Sequence, residues 1–307
     1  MRPDPDTVDR NTADRNTGER GAGEPVPAAV ADRPGPGPRG DGAPEMPRAR
    51  PERGTSARRD GLLRTGVLIR HNTAVMLHEP GPLIGRLVMP LILLLALRPL
   101  YEEAQGPGGT GEAVVGSLVT FSLLAMSIVG SSILSERAWR TWDRLRATPV
   151  RPAELLVGKS VPVLGMLAAQ QVLVLGFGVV VFGMPVAAPG LLIAACAAWG
   201  LALLGMGTAV GVLVRSHGQL SAVFDIGGLF FTTLGGALVP LSTLPGWVRE
   251  VSPVSPGYWA AESLRHAAAG DAGPTLKGVG VLLAVAAAGA ATAAWRVARG
   301  WGRATAV

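Results

Sequence analysis

The feature that most limits what this chain can fold into is a set of apolar runs of about 18–25 residues, separated by short polar connections. A helix rises about 1.5 Å per residue, so roughly 20 apolar residues match the ~30 Å hydrocarbon core of a bilayer. Six runs meet that requirement, at residues 83–100, 113–134, 160–182, 190–214, 220–240 and 276–295. In lipid every backbone N–H and C=O must find its partner inside the protein, which favours helices. The expected fold is all-α: a polytopic membrane protein with six transmembrane helices. Pro90 falls inside the first run, and Arg86 and Arg98 lie near its ends, where long side chains can snorkel to the headgroups.

The flanking segments differ in kind. Residues 1–60 are rich in Pro, Gly, Arg and Asp, with 11 basic and 11 acidic groups that cancel. They hold too little apolar surface to offset the entropy of ordering, and read as a disordered cytoplasmic tail. No apolar signal-peptide core occurs there, so the first membrane helix is expected to direct insertion. Residues 62–79 mix Leu62, Leu63, Val67, Ile69, Val75, Met76 and Leu77 with Arg64, Arg70 and His71, which reads as an amphipathic helix lying in the membrane interface. Domain boundaries are expected at 1–60 (tail), 61–300 (six-helix transmembrane domain) and 301–307 (cytoplasmic end).

A net charge of +6 could suggest nucleic acid as a partner. The pattern excludes it: the basic residues sit in short clusters between apolar runs rather than on a groove-sized soluble face. They act instead as topology signals. Arg58, Arg59, Arg64 and Arg70 precede the first run, six basic residues from Arg137 to Lys159 lie between the second and third, and Arg296, Arg299 and Arg303 follow the last. Glu102, Glu103 and Glu112 mark the opposite side. The positive-inside rule then puts both termini in the cytoplasm of a cell's inner (plasma) membrane. Residues 241–275 carry mixed charge, with Trp247, Tyr258 and Trp259 beside Pro245, Pro253 and Pro256. Short helices that partly re-enter or rest on the outer surface are expected there.

Hydrolytic and metal chemistry find no support. The four His (71, 78, 217 and 266) are scattered, and Cys196, the single cysteine, lies within an apolar run. The stretch 153–160 nearly spells a phosphate-binding loop. Its first Gly is Ala153, no strand precedes it and an apolar run follows at once, so it cannot cradle phosphates. No catalytic residue, metal ligand or cofactor is assigned to the chain.

The most informative connection is residues 135–160, SERAWRTWDRLRATPVRPAELLVGKS. Ile133, Leu134, Ala138, Trp142 and Leu145 recur at helical spacing, while Glu136, Arg137, Arg140, Asp143, Arg144 and Arg146 fill the other faces. Pro149 and Pro152 end the pattern. Such a helix could dock on a soluble partner, or it could be a solvated connection that only sets topology; the pattern leaves both open.

These residues resemble a family. Ser135-Glu136-Arg137, Thr141 through Pro149, Glu154-Leu155-Leu156 and Gly158-Lys159 look like the signature of ABC-2 type permeases, nearest the daunorubicin/doxorubicin-exporter-like branch. His78-Glu79-Pro80-Gly81, Pro240-Leu241-Ser242 and Leu244-Pro245 fit the same pattern, and Arg140 departs from it where many relatives have Gly. The resemblance implies an exporter of two permease copies, identical or different, and two separate ATPase subunits that use ATP and Mg. The helix from Glu136 to Arg146 would sit on the ATPase as the coupling element. The implied cargo is an amphipathic drug, antibiotic or lipid-like molecule.

Three polar groups inside apolar runs are candidates for a substrate pathway or conformational latch: Gln170 and Gln171 in the third run and Asp225 in the fifth. Their alternative is helix packing with a satisfied hydrogen bond. Asp225 is expected to face the bundle, a watery cavity or a basic partner such as Arg215, because an unpaired carboxylate at mid-bilayer costs roughly 2.5–3.5 kcal/mol. Gly207–Gly211 and Gly227/Gly228 could let helices approach closely. Competing readings are an ion-coupled secondary transporter, which would favour more intramembrane acids and an inverted repeat, and a membrane-embedded enzyme, which would need paired catalytic groups.

Overall fold

The computed structural model describes residues 55–78, 80–106, 109–138, 152–237 and 244–299, and these are helical almost throughout, with no strand among them. The elements in order are α1 (Thr55–His78), α2 (Pro80–Gln105), α3 (Gly109–Ala138), α4 (Pro152–Phe182), α5 (Pro189–Leu213), α6 (His217–Leu234), α7 (Gly246–Val251), a 3-10 turn (Ser252–Val254), α8 (Pro256–Ala269) and α9 (Ala272–Ala298). Residues 1–54 of the expected tail lie outside the described residues. The helix α1 begins at Thr55, so residues 55–60 belong to a helix and not to the tail.

Helix ends follow local chemistry. Pro starts α2, α4, α5 and α8, where a missing N–H costs nothing. Ser216 caps α6 by accepting from the Gln219 amide at 3.2 Å, and Ser255 caps α8 by accepting from the Gly257 amide at 3.1 Å. Gly270 ends α8 in the left-handed region at φ 88°, a conformation that a side chain would oppose.

Five helical segments are long and apolar enough to cross a membrane: Ile84–Glu103, Gly109–Ser135, Val157–Phe182, Pro189–Leu213 and Ala272–Ala298. They coincide with five of the six expected runs. The remaining run forms α6, 18 residues long, where His217, Gln219 and Asp225 dilute the apolar character. The short helices expected within residues 241–275 are present as α7, the 3-10 turn and α8. In α1, Leu62, Leu63, Val67, Val75 and Leu77 are exposed, and they are spread around the axis rather than along one stripe.

Burial ranks the helices. In α3, 78% of the apolar window is buried within the chain, against 17% in α2 and 22% in α9. Thus α3 is the central post, with α2, α4, α5, α6 and α8 around it, and its Val114, Leu118, Leu123 and Met126 join Trp199, Leu203, Phe224 and Leu264 in one core. Close crossings use small residues. A β-carbon on Gly289 of α9 would collide with the Gly205 backbone of α5, and one on Gly205 would meet the Ala286 backbone in turn. The Gly207/Gly211 pair packs α5 on α3: Gly207 faces Val129 and Met126, and Gly211 faces the Gly130 backbone.

Candidate functional site

At the end of the bundle where α3 leaves and α4 returns, two long-range contacts fix the helices that carry the 135–160 connection. The Lys159 ammonium on α4 donates to the Ser132 carbonyl on α3 at 2.9 Å. The Asn72 amide on α1 donates to the Gly158 carbonyl at 3.2 Å, and Leu68 of α1 closes on the Cα of Gly158. A bulkier residue at 158 would push α1 off α4. Of the expected coupling residues, Glu136 and Arg137 fall in the last turn of α3, while Arg140, Trp142, Asp143, Arg144, Leu145 and Arg146 lie outside the described residues.

The three polar candidates from the apolar runs are not brought together. Gln170 and Gln171 are buried in α4 at 0% and 4% exposure, and the Gln170 amide and the Gln171 Nε2 have no hydrogen-bond partner. Gln171 lies next to Gly200 of α5. Buried amides without partners are costly in an apolar interior, and the satisfied packing hydrogen bond expected as the alternative is not made by these three atoms. Asp225 takes neither of two expected settings, the bundle interior or a pair with Arg215. It is exposed on the flank of α6, it does not face the interior of the chain, and no Arg215 ion pair forms among the described residues. The reason is rotational: Leu220, Phe224 and Gly228 form the buried face of α6, and residue 225 falls about 100° past Phe224. The two arginines of α2 are also held rather than simply snorkelling. Arg86 donates to the Leu124 carbonyl at 3.4 Å and to Ser127 Oγ at 3.3 Å. Arg98 donates to Glu102 at 2.8 Å and lies over the Phe182 ring at 4.4 Å.

A polar cluster at the opposite end escaped the sequence reading. Arg265 of α8 pairs with Glu112 of α3 at 2.8 Å and with Glu262 at 3.0 Å, and its Nη2 donates to the Gly236 carbonyl at 3.1 Å. One guanidinium therefore ties α8 to the start of α3 and the turn after α6. His266 bridges Glu262 at 3.3 Å and Asp271 at 3.2 Å. Burial and Glu262 raise the Tyr258 hydroxyl above its usual range, against the opposing pull of Arg265. A cavity of about 290 Å³ opens here, lined by Thr110, Glu112, Val115, Phe182, Met184 and Arg265 among others. The mixed charge of residues 241–275 was the available signal; the pairing with Glu112, some 150 residues away, was not visible in sequence. Among the described residues no group of three or more His, Cys, Asp or Glu could hold a metal ion.

Comparison with known proteins adds what geometry alone does not. The family described as "ABC-2 type transporter" matches residues 64–268. Two curated relatives, each named "Probable multidrug ABC transporter permease YbhR", from Escherichia coli strain K12 and from Escherichia coli O157:H7, are 25% identical over 146 residues. That stretch is 47% of this chain and 40% of each relative, so the match spans well under half of the curated proteins.

Proposed function

We propose, since this chain belongs to the ABC-2 type transporter family, that it is the membrane-spanning subunit of an ATP-driven exporter and works with a separate ATPase. The observation that carries the reading is the family match over residues 64–268, which includes the whole 135–160 connection. The cargo is an amphipathic drug- or antibiotic-like molecule or a lipid-like one, as in the daunorubicin/doxorubicin-exporter-like branch. The relatives' description as multidrug permeases supports that class. The ATPase partner uses ATP and Mg.

In this reading α6 is the sixth crossing, with the residues before α1 as a tail, α1 through residue 300 as the transmembrane domain and both termini in the cytoplasm. The helix α1 rests in the membrane interface. Glu136 to Arg146 form the coupling helix on the ATPase, with Lys159 holding the base of that connection to α3. ATPase closure would push on this base and reorient the bundle. Gln170 and Gln171 supply polar groups that a changed helix packing exposes to the cargo, and Asp225 acts on the outer flank of α6.

The test is reconstitution. Liposomes holding this chain with its candidate ATPase should expel a cationic amphipathic dye when given ATP and Mg, and not when given a proton or sodium gradient. Transport that follows an ion gradient and needs no ATPase would replace this reading with a secondary transporter.

A further inference from the structure

Five side-chain atoms within three neighbouring helices have no hydrogen-bond partner among the described residues. They are Ser122 Oγ on α3, both amide atoms of Gln170 and Nε2 of Gln171 on α4, and Trp199 Nε1 on α5. Gln171 is 4% exposed and the other three residues are fully buried. Comparable groups nearby are satisfied. Thr120, Ser131 and Ser132 of α3 each donate to a carbonyl of their own helix, and the Trp259 indole donates to the Pro253 carbonyl at 2.8 Å. Ser122 and Trp199 do neither.

Helix register puts these four residues at one level. Gly178 of α4 meets Val114 of α3, and Lys159 meets Ser132, so the two helices run antiparallel. Ser122 is eight residues past Val114 and Gln170 eight before Gly178, which brings them level. Helix α5 runs parallel to α3: Gly207 meets Met126 and Val129, and Gly211 meets Gly130. Ser122 precedes Met126 and Val129 by four and seven residues, on the same face of α3, and Gly200 precedes Gly207 by seven. Trp199 adjoins Gly200, and a β-carbon on Gly200 would lie 3.7 Å from Gln171 Nε2. The level is also the deepest one. Ser122 is the central residue of the apolar window Gly109–Ser135, and Gln170 and Trp199 lie within two residues of the centres of Val157–Phe182 and Pro189–Leu213.

We infer that Ser122, Gln170, Gln171 and Trp199 form one site for a neutral, oxygen-bearing group of the cargo: a ketone, ester, amide or hydroxyl. The inference rests on the exporter reading and names what that cargo must carry. Donors dominate the layer, with an indole N–H, two amide NH2 groups and a hydroxyl against one amide oxygen and the hydroxyl oxygen. A carbonyl oxygen can accept two such bonds. No charged residue lies between Glu112 and Glu136 on α3, between Lys159 and Phe182 on α4, or anywhere in α5. The layer therefore offers no counter-charge, and a charge on the cargo has to stay outside it. Donors already stripped of water take up an oxygen without first giving up other bonds, which is preorganisation for binding. Access lies along the side of α4, where Gln171 is followed by Val172 at 71% exposure.

The test uses the full-length chain with its candidate ATPase in phosphatidylcholine liposomes. Benzophenone, a neutral ketone that links to its surroundings under light, is irradiated during ATP turnover and its adducts are mapped by mass spectrometry. Adducts should appear on buried residues at the layer, such as Met126, Leu167 and Leu203. Gln170→Leu and Trp199→Phe should lower them by about tenfold, and the milder Ser122→Ala should lower them in the same direction, while adducts on lipid-facing residues stay. A second measurement compares transport of an ester-bearing rhodamine with that of tetraphenylphosphonium, a cation without a hydrogen-bonding group. The variants should raise KM for the rhodamine and leave tetraphenylphosphonium unchanged. Three results would each overturn the inference: no adducts at the layer, an equal loss for both cargoes, or unchanged adducts with earlier unfolding of Gln170→Leu and Ser122→Ala, the mark of a layer that holds structural water only. Adducts at the layer that the variants remove, without any ATP-dependent transport, would overturn the exporter reading and leave the site standing.

Discussion

The Lys159 ammonium on α4 donates to the Ser132 carbonyl on α3 at 2.9 Å, so one side chain spans the two helices that bracket the 135–160 connection. A push on that connection reaches both helices at a shared point. Replacing Lys159 with Met removes a charged donor from a half-buried carbonyl, and such bonds contribute about 1.5–3 kcal/mol. The expected result is a lower midpoint of thermal unfolding in detergent and a larger fractional loss of transport than of stability. Transport falling only in step with the folded fraction would reduce Lys159 to a structural role.

Arg265 joins Glu112, Glu262 and the Gly236 carbonyl. Arg265→Ala leaves two carboxylates close together without their cation, and should destabilise the chain by about 1–3 kcal/mol. Adding Glu112→Gln should recover part of that loss. A double-mutant cycle followed by denaturant unfolding measures the coupling, and strictly additive losses would mean that the Glu112 pair is energetically silent.

At the α5–α9 crossing, Gly289 backs directly onto the Gly205 backbone. Gly289→Leu forces the helices apart and should cost at least about 1–3 kcal/mol. Gly280→Leu is its control, because nothing lies within 4 Å of the position of a β-carbon there. Yield of folded protein on size exclusion should fall for the first and hold for the second.

Gln170 is fully buried with neither amide atom partnered. Replacing an unsatisfied buried amide with an apolar group of similar size is neutral or stabilising. Gln170→Leu should therefore unfold no earlier than wild type while transporting less. Unchanged transport would confine the residue to packing.

Most of the fold could be read from the chain because its strongest signal is local. Five long apolar runs become five long helices of matching bounds, and Pro, Ser and Gly mark the ends. The α6 segment was harder, since its 18 residues include His217, Gln219 and Asp225. The orientation of Asp225 was not legible, because a carboxylate's need for a partner does not say which way its helix is turned. Contacts such as Arg265 with Glu112 and Asn72 with Gly158 join residues far apart in sequence. No window of periodicity reports them.

The central claim is that an external ATPase drives this chain through the 135–160 connection. The most direct measurement is ATP hydrolysis by the candidate ATPase in membranes that hold the wild-type chain, the Glu136→Ala or Arg144→Ala variant, or no chain. The account predicts co-purification and a rate that depends on the chain. Each variant should insert normally and lose most of that dependence, together with transport. The same rate with and without the chain, or variants that stimulate hydrolysis and transport like wild type, would contradict it.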